Sequence, residues 1–205
     1  MTYTSDIAFT ESVKAIQSRK GSRDIYARME ENGGWQSEIT PELAGFIAAQ
    51  RSFYLATVNA EGQPYIQHRG GPPGFLKVID RQTLAFADYQ GNKQFITQGN
   101  LTDNPRAFIF LMDYANRTRV KIWGSAKVVE DQPALLTELM PSRDLYKARP
   151  EQVVIFTIDA WDQNCPQHIP QRIDREDVEE LLQQRDQRIA ELEEQVRLLK
   201  GAADE

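Results

Sequence analysis

The sequence predicts a mainly β domain built as an antiparallel barrel, with helices before it and a coiled-coil helix after it. Three observations carry that prediction. From Ser52 onward, apolar residues recur with period two in six or seven short runs separated by turn residues. Helices interrupt these runs only at Asn92 to Leu101 and Pro133 to Met140, whereas a parallel doubly wound sheet needs one between most strands. Beyond Pro170 the apolar period changes to seven.

The first fifty residues read as helical. Phe9, Val13 and Ile16 fall at i, i+4 and i+7, and Ile25 and Met29 continue a patchy apolar face after Gly21. Gly33-Gly34 ends that segment. Thr40-Pro41-Glu42 starts another helix, with Thr40 as N-cap, Pro41 in the first turn and Leu43, Phe46 and Ile47 on one face. The runs 52–58 and 64–69 form a hairpin around Asn59, Glu61 and Gly62. The runs 75–80 and 83–88, separated by Arg81-Gln82, read as a second hairpin, and 107–113, 119–129 and 152–161 supply three more strands. Pro166 and Pro170 mark the break before the tail. There Val178, Leu182, Ile189, Leu192, Val196 and Leu199 fit a and d positions, with Arg185 in the remaining d slot. An isolated helix of this length is marginal in water, so the seam implies a partner helix or subunit.

Composition narrows the function. The 205 residues suffice for one domain with a core plus an appendage. The one cysteine, Cys165, excludes an internal disulfide framework and fits a reducing cytoplasm. No apolar run approaches the ~18 residues of a membrane span, and M-T-Y-T-S-D lacks the order of a signal peptide. The net charge of −6 is uneven: Gln171 onward holds eleven acids and six bases, while Arg69 to Lys121 holds eight bases against four acids. An acidic chain with a basic centre suits a small anion there better than nucleic acid. A solvated strand surface would have the same composition.

The basic centre opens with R-G-G-P-P-G-F-L-K-V-I-D, Arg69 to Asp80, which is neither a G-x-G-x-x-G fingerprint nor a P-loop. It meets the demands of flavin mononucleotide (FMN). The phosphate needs cations and backbone N–H donors, and the ring needs a flat apolar slot with a hydrogen-bonding rim. Glycines let backbone approach a ring closely, and prolines stiffen that approach. Asn92 and Lys93 stand near a helix start, which suits phosphate. Asp88 closes a strand, where it either accepts from the flavin or caps a turn. Arg119 heads the strand that reaches Trp123-Gly124.

In order and spacing, R-G-G-P-P-G-F-L-K-V-I-D, F-A-D, G-N-K-Q, G-N-L-x-x-N-P-R and R-V-K-I-W-G-S-A resemble the pyridoxamine 5′-phosphate oxidase-related, FMN-binding proteins. The resemblance spans about Phe46 to Ala160. It implies a six-stranded antiparallel split barrel and a homodimer with FMN at the subunit interface. It assigns cofactor contacts to Arg69, Gly70, Phe75, Leu76, Lys77, Val78, Asp88, Asn92, Lys93 and Arg119. The phosphate pair, commonly Arg-Lys, is Asn92-Lys93 here. Periodicity and resemblance together divide the chain into a helical segment 1–45 packing on the barrel, the FMN-binding barrel 46–165, and a linker with coiled-coil helix 166–205. The true oxidases end in an Arg-Leu-His-type segment; this chain instead has W-D-Q-N-C-P-Q-H-I-P and a coiled coil, so pyridoxal phosphate formation is not carried over.

Cys165 and His168 form only half a tetrahedral metal site, so no metal is expected; the pair reads either as a structural turn or as a redox thiol beside the flavin. His68, Arg119 and His168 are the candidates for lining the substrate side, each with an ordinary strand or turn role as the alternative. Two functions follow. One is an FMN-dependent oxidoreductase moving two electrons to or from a small molecule or a donor such as NAD(P)H, which needs no protein nucleophile. The other is a flavin-binding or electron-transfer module acting with a partner protein. Haem or a deazaflavin in the same barrel remains a third possibility.

Overall fold

The alternating runs become strands in the computed structural model, which describes residues 3–141, 146–164 and 166–201. The strands are β1 (Ser52–Val58), β2 (Pro64–Gly70), β3 (Lys77–Val78), β4 (Thr83–Tyr89), β5 (Arg106–Asp113), β6 (Thr118–Val129) and β7 (Pro150–Asn164). All pairs are antiparallel, in the order β2-β1-β5-β6-β7-β4-β3. Helices α1 (Glu11–Lys20), α2 (Arg23–Glu31) and α3 (Pro41–Ala49) precede the sheet. Helix α4 (Ile96–Asp103) follows β4, α5 (Pro133–Leu139) follows β6, and α6 (Arg175–Gly201) forms the tail. Two compact units result: Met1–Asp113 with Thr118–Pro166, and Tyr114–Arg117 with Gln167–Glu205.

The expectation of six strands is corrected to seven, in a sheet that does not close by hydrogen bonds: β2 and β3 are its edges. The cause lies in Gly71-Pro72-Pro73-Gly74. Gly74 has φ +79°, and Phe75 N–H donates to the Pro72 carbonyl at 3.0 Å, which is the composition of a type II turn. The turn folds Phe75 back over Gly71, where an added Cβ would lie 2.6 Å from the Phe75 ring. Phe75 and Leu76 enter the core at 2% and 1% exposure, so the anticipated strand 75–80 shrinks to Lys77–Val78. The glycines therefore serve packing here, where the sequence suggested an approach to a ring.

Alternation sorts the strands' residues between two faces. Phe53, Leu55, Leu84, Phe86, Ile109, Leu111, Val120, Ile122, Val154 and Phe156 face one core with Leu43 and Ile47 of α3. Thr40 caps α3 as its sequence requires, its Oγ1 accepting from Leu43 N–H at 3.2 Å. The expected apolar face of the N-terminal helices is corrected. Ile16 and Ile25 are 45% and 67% exposed, while Ser5, Gln17 and Glu30 are buried. Arg23 pairs with Glu30 and donates to Gln17 at 2.7 Å, and Ser5 donates to Glu30 at 3.0 Å, so a polar network organises this segment. Trp35 then stacks on Trp123 of β6 at 4.6 Å, with Lys121 over both rings.

The register of β6 against β7 shifts between Trp123 and Gly124. A Cβ on Gly124 would lie 2.0 Å from the Thr157 carbonyl oxygen and 2.6 Å from the Phe156 ring. Because the obstacle is backbone, the fold cannot yield locally. Gly124→Ala is expected to lower stability by about 3 kcal/mol, read as an earlier urea midpoint at unchanged slope.

Candidate functional site

The two ends of the sheet meet at a short ion pair. Arg69 Nη1 on β2 donates to Asp88 Oδ1 on β4, and Gln152 Nε2 on β7 donates to Asp88 Oδ2 at 2.9 Å. Both ionic side chains are nearly buried, at 13% and 14% exposure. The guanidinium lies 5.8 Å from the Phe86 ring centre. Phe53 lies beneath, stacked on Phe75 at 5.5 Å and edge-on to Phe86 at 5.1 Å. Asp88 is thus anchored by protein groups on both oxygens.

Two adjoining cavities flank this pair. One, of about 170 Å³, is bounded by Gln67, His68, Gly70, Phe75 and Phe86 besides the pair itself. The other, of about 60 Å³, continues past Asn92, Lys93 and Thr97. Two polar atoms at their walls, Arg69 Nε and the Tyr89 hydroxyl, are buried without a hydrogen-bond partner among the described residues. Buried donors without a partner are rare in folded proteins. Burial pushes the Tyr89 phenol up to about 12, with the neighbouring Tyr146 adding to the effect, so it stands as a neutral donor. A larger cavity of about 650 Å³ between α5 and the 146–150 segment holds neither orphaned atom nor any residue predicted from the sequence.

The loop before α4 is unusual. Lys93 and Phe95 hold φ of +60° and +54°, which non-glycine residues adopt at a cost of about 1 kcal/mol or more each. Asn92 Oδ1 accepts from Gln94 N–H at 3.2 Å and turns the chain. The helix starts at Ile96 rather than Asn92, so Lys93 stands ahead of its free N–H groups. Thr97 Oγ1 donates to Gln67 Oε1 on β2 at 2.8 Å, and Asn100 Nδ2 donates to Thr57 Oγ1 on β1 at 2.9 Å, which fix the helix to the sheet.

The structure brings together Arg69, Gly70, Phe75, Asp88, Asn92 and Lys93, with His68 bounding the larger of the two cavities. It does not bring in Leu76, which is core, or Lys77 and Val78, which pair with Ala85 and Leu84. Arg119 lies opposite Met112 on β6 and bounds neither cavity. His168, at φ +62°, belongs to the second unit, and Cys165 lies outside the described residues. Sequence reasoning missed Tyr65 and Gln67, which period two places on the face of Arg69. It also missed Tyr89 and Gln152, the latter visible only through the Asp88–Gln152 pairing.

The sheet is thus an open antiparallel one, with two buried donors lacking a partner among the described residues beside the loop before α4. A sequence profile described as pyridoxamine 5′-phosphate oxidase matches residues 39–165, well over half the chain. The chain belongs to that family. HupZ from Group A Streptococcus has a similar fold, with TM-score 0.51 at 20% identity over 66% of this chain and 99% of that one. A single-residue variant of HupZ from the same organism gives TM-score 0.50 at 19% identity over 62% and 99%. An FMN-binding protein from Syntrophomonas wolfei subsp. wolfei gives 0.48 at 13% over 77% and 98%. No curated protein matches the sequence. Among the described residues no helix is long and apolar enough to cross a membrane.

Two outcomes follow from the site's electrostatics. Asp88→Ala leaves the Arg69 charge buried and unpaired, and is expected to lower stability by about 3–5 kcal/mol in urea unfolding. Replacing both partners with apolar residues should recover most of that loss. Tyr89 has a folded-state value near 12, above that of an exposed phenol. Its contribution is complete below pH ~10 and is lost as pH rises from there through 12, because the unfolded chain deprotonates first. Tyr89→Phe should remove that fraction of the alkaline fall in thermal midpoint.

Proposed function

We propose that this chain is an FMN-binding oxidoreductase, a homodimer with the cofactor at the subunit interface, and that it is not a pyridoxal phosphate-forming oxidase. The observation that carries the reading is the pair of orphaned donors, Arg69 Nε and Tyr89 hydroxyl, beside the loop that holds Lys93 at the start of α4. Their chemistry fits FMN. Lys93 and the first N–H groups of α4 suit a phosphate. Arg69 Nε and the neutral Tyr89 phenol suit acceptor atoms of the ribityl chain or ring rim, and the wall of Phe75 and Phe86 suits the ring. Gly70 leaves the wall open, since a Cβ there would meet His68 at 3.2 Å.

When bound, FMN supplies two-electron transfer at its ring. The chain's own work is to neutralise the phosphate, orient the ring and exclude water. His68 alone of the three proposed substrate-side residues bounds these cavities, which supports it as the side chain beside the substrate. The partner of the flavin is proposed to be a small-molecule substrate or a donor such as NAD(P)H. The dimer is supported by volume. Sites for ligands of this size span about 300–1,000 Å³, more than either cavity offers, and Phe95 at the lip is 54% exposed. A second copy would complete the walls and cover that ring. The α6 seam is proposed as a coiled coil, and the lone cysteine supports a reducing cytoplasm as the setting.

The exposed apolar positions of α6 favour one second reading, a flavin-binding or electron-transfer module that works through a partner protein. Absorption from 300 to 700 nm, followed by identification of the released ligand, tests the cofactor. Flavin bands releasing FMN are expected, and Lys93→Ala should raise the Kd for FMN about tenfold, the worth of one charged hydrogen bond. A colourless protein that takes up no added FMN refutes the proposal, and a Soret band moves it to haem. Repeated turnover with NADPH and an acceptor separates enzyme from module. Light scattering at twice the chain mass checks the dimer.

A further inference from the structure

Helix α6 exposes its apolar positions along its length, from 38% at Val178 to 71% at Leu199. We propose that it pairs with α6 of a second copy of this chain as a parallel, in-register two-stranded coiled coil, and that Arg185 selects this arrangement. The inference rests on the proposed dimer and is independent of the flavin.

The seam itself argues for two parallel strands. Positions a are Leu182, Ile189 and Val196, and positions d are Val178, Arg185, Leu192 and Leu199. In the last two heptads β-branched residues stand at a and leucines at d, the combination that favours parallel dimers. The flanks agree. Positions e are Glu179, Asp186, Glu193 and Lys200, and positions g are Leu181, Arg188 and Gln195. In a parallel pair, g faces e of the next heptad on the other helix, which sets Arg188 against Glu193 in both directions. In an antiparallel pair e faces e, and three of its four e positions are acidic. Charge therefore opposes the antiparallel alternative.

Arg185 sharpens the choice. A d side chain packs into a hole bounded on one side by the e residue that follows it on the other helix, here Asp186. Parallel and in register, each guanidinium meets the second copy's Asp186; one heptad out of register, it meets Glu179 or Glu193 but sets both arginines against leucine or valine. The intrahelical pairs Arg175–Glu179, Arg188–Glu191 and Arg197–Glu194 leave Arg185, Asp186 and Glu193 without an ion-pair partner among the described residues. A charged residue at one core position fixes register and strand number at the expense of stability.

Site-directed cross-linking in the full chain tests this. With Cys165→Ser removing the native thiol, Leu199→Cys alone is expected to oxidise rapidly to a covalent dimer, while Gln187→Cys, on the opposite face, stays monomeric on a non-reducing gel. If Leu199→Cys links only when mixed with Leu182→Cys, the a position that faces it in an antiparallel pair, the helices are antiparallel and the orientation is overturned while pairing stands. If no seam cysteine links faster than Gln187→Cys, α6 does not pair and the inference fails outright, even should light scattering still show a dimer. Arg185→Leu is expected to give larger assemblies beside the dimer; an unchanged dimer removes Arg185 from its proposed role.

Discussion

The ion pair between Arg69 and Asp88 joins the second-to-last position at one end of the sheet to the edge strand at the other, with four strands between them in the ladder. Among the described residues no backbone hydrogen bond bridges that gap, so side chains hold the two ends together. Burying two charges is costly in itself, and the cost is offset only because the geometry is close and the second carboxylate oxygen is occupied by Gln152. Phe53, Phe75 and Phe86 fill the space below and give the pair its dry surroundings. The cavities exist because this seam is closed at a point and open on either side of it.

The site inherits its precision from the same region. A loop that holds Lys93 and Phe95 in the left-handed region persists only if the surrounding structure overdetermines it. Here α4 is tied to β1 through Asn100–Thr57 and to β2 through Thr97–Gln67, the first bond fully buried. Those two bonds anchor one end of the loop while β4 anchors the other. A phosphate would meet an arrangement already formed, which lowers the ordering cost of binding.

Much of this was legible in the sequence, for definite reasons. Period two located β1, β5 and β6, where buried positions alternate with partly exposed ones. Strand β4 buries both faces, Leu84 and Phe86 in one core and Ala85 and Ala87 in another, and was legible as an apolar run bounded by turns. Thr40-Pro41 marked α3 because cap chemistry is local. Arg69, Asp88, Asn92 and Lys93 were legible singly, as polar residues near strand ends and turns, but the ion pair of Arg69 with Asp88 was not, since Asp88 read as a flavin acceptor or a turn cap. What escaped depended on distant neighbours. Phe75 and Leu76 look like strand residues, and only the ring of Phe53 shows why they leave it. Lys93 and Phe95 carry no mark of a positive φ, as glycine would. Gln17 and Glu30 read as surface residues until Arg23 and Ser5 are placed beside them. The Ile16 face misled because helical spacing records a possible burial, not an actual one.

The strand order also dictates a history. Strand β4 finds its main neighbour in β7, with Thr83 opposite Thr157 and Tyr89 near Pro150, so more than sixty residues of chain must be looped out before that ladder forms. Its only local companion is the two-residue β3, too short to hold a hairpin alone. Closing so long a loop is an entropic barrier, and folds dominated by such pairings acquire their native state in milliseconds to seconds. Until then the apolar run Leu84 to Ala87 is an unpaired strand in a collapsed chain, and the slowest step of folding is also the one during which this protein is most open to aggregation.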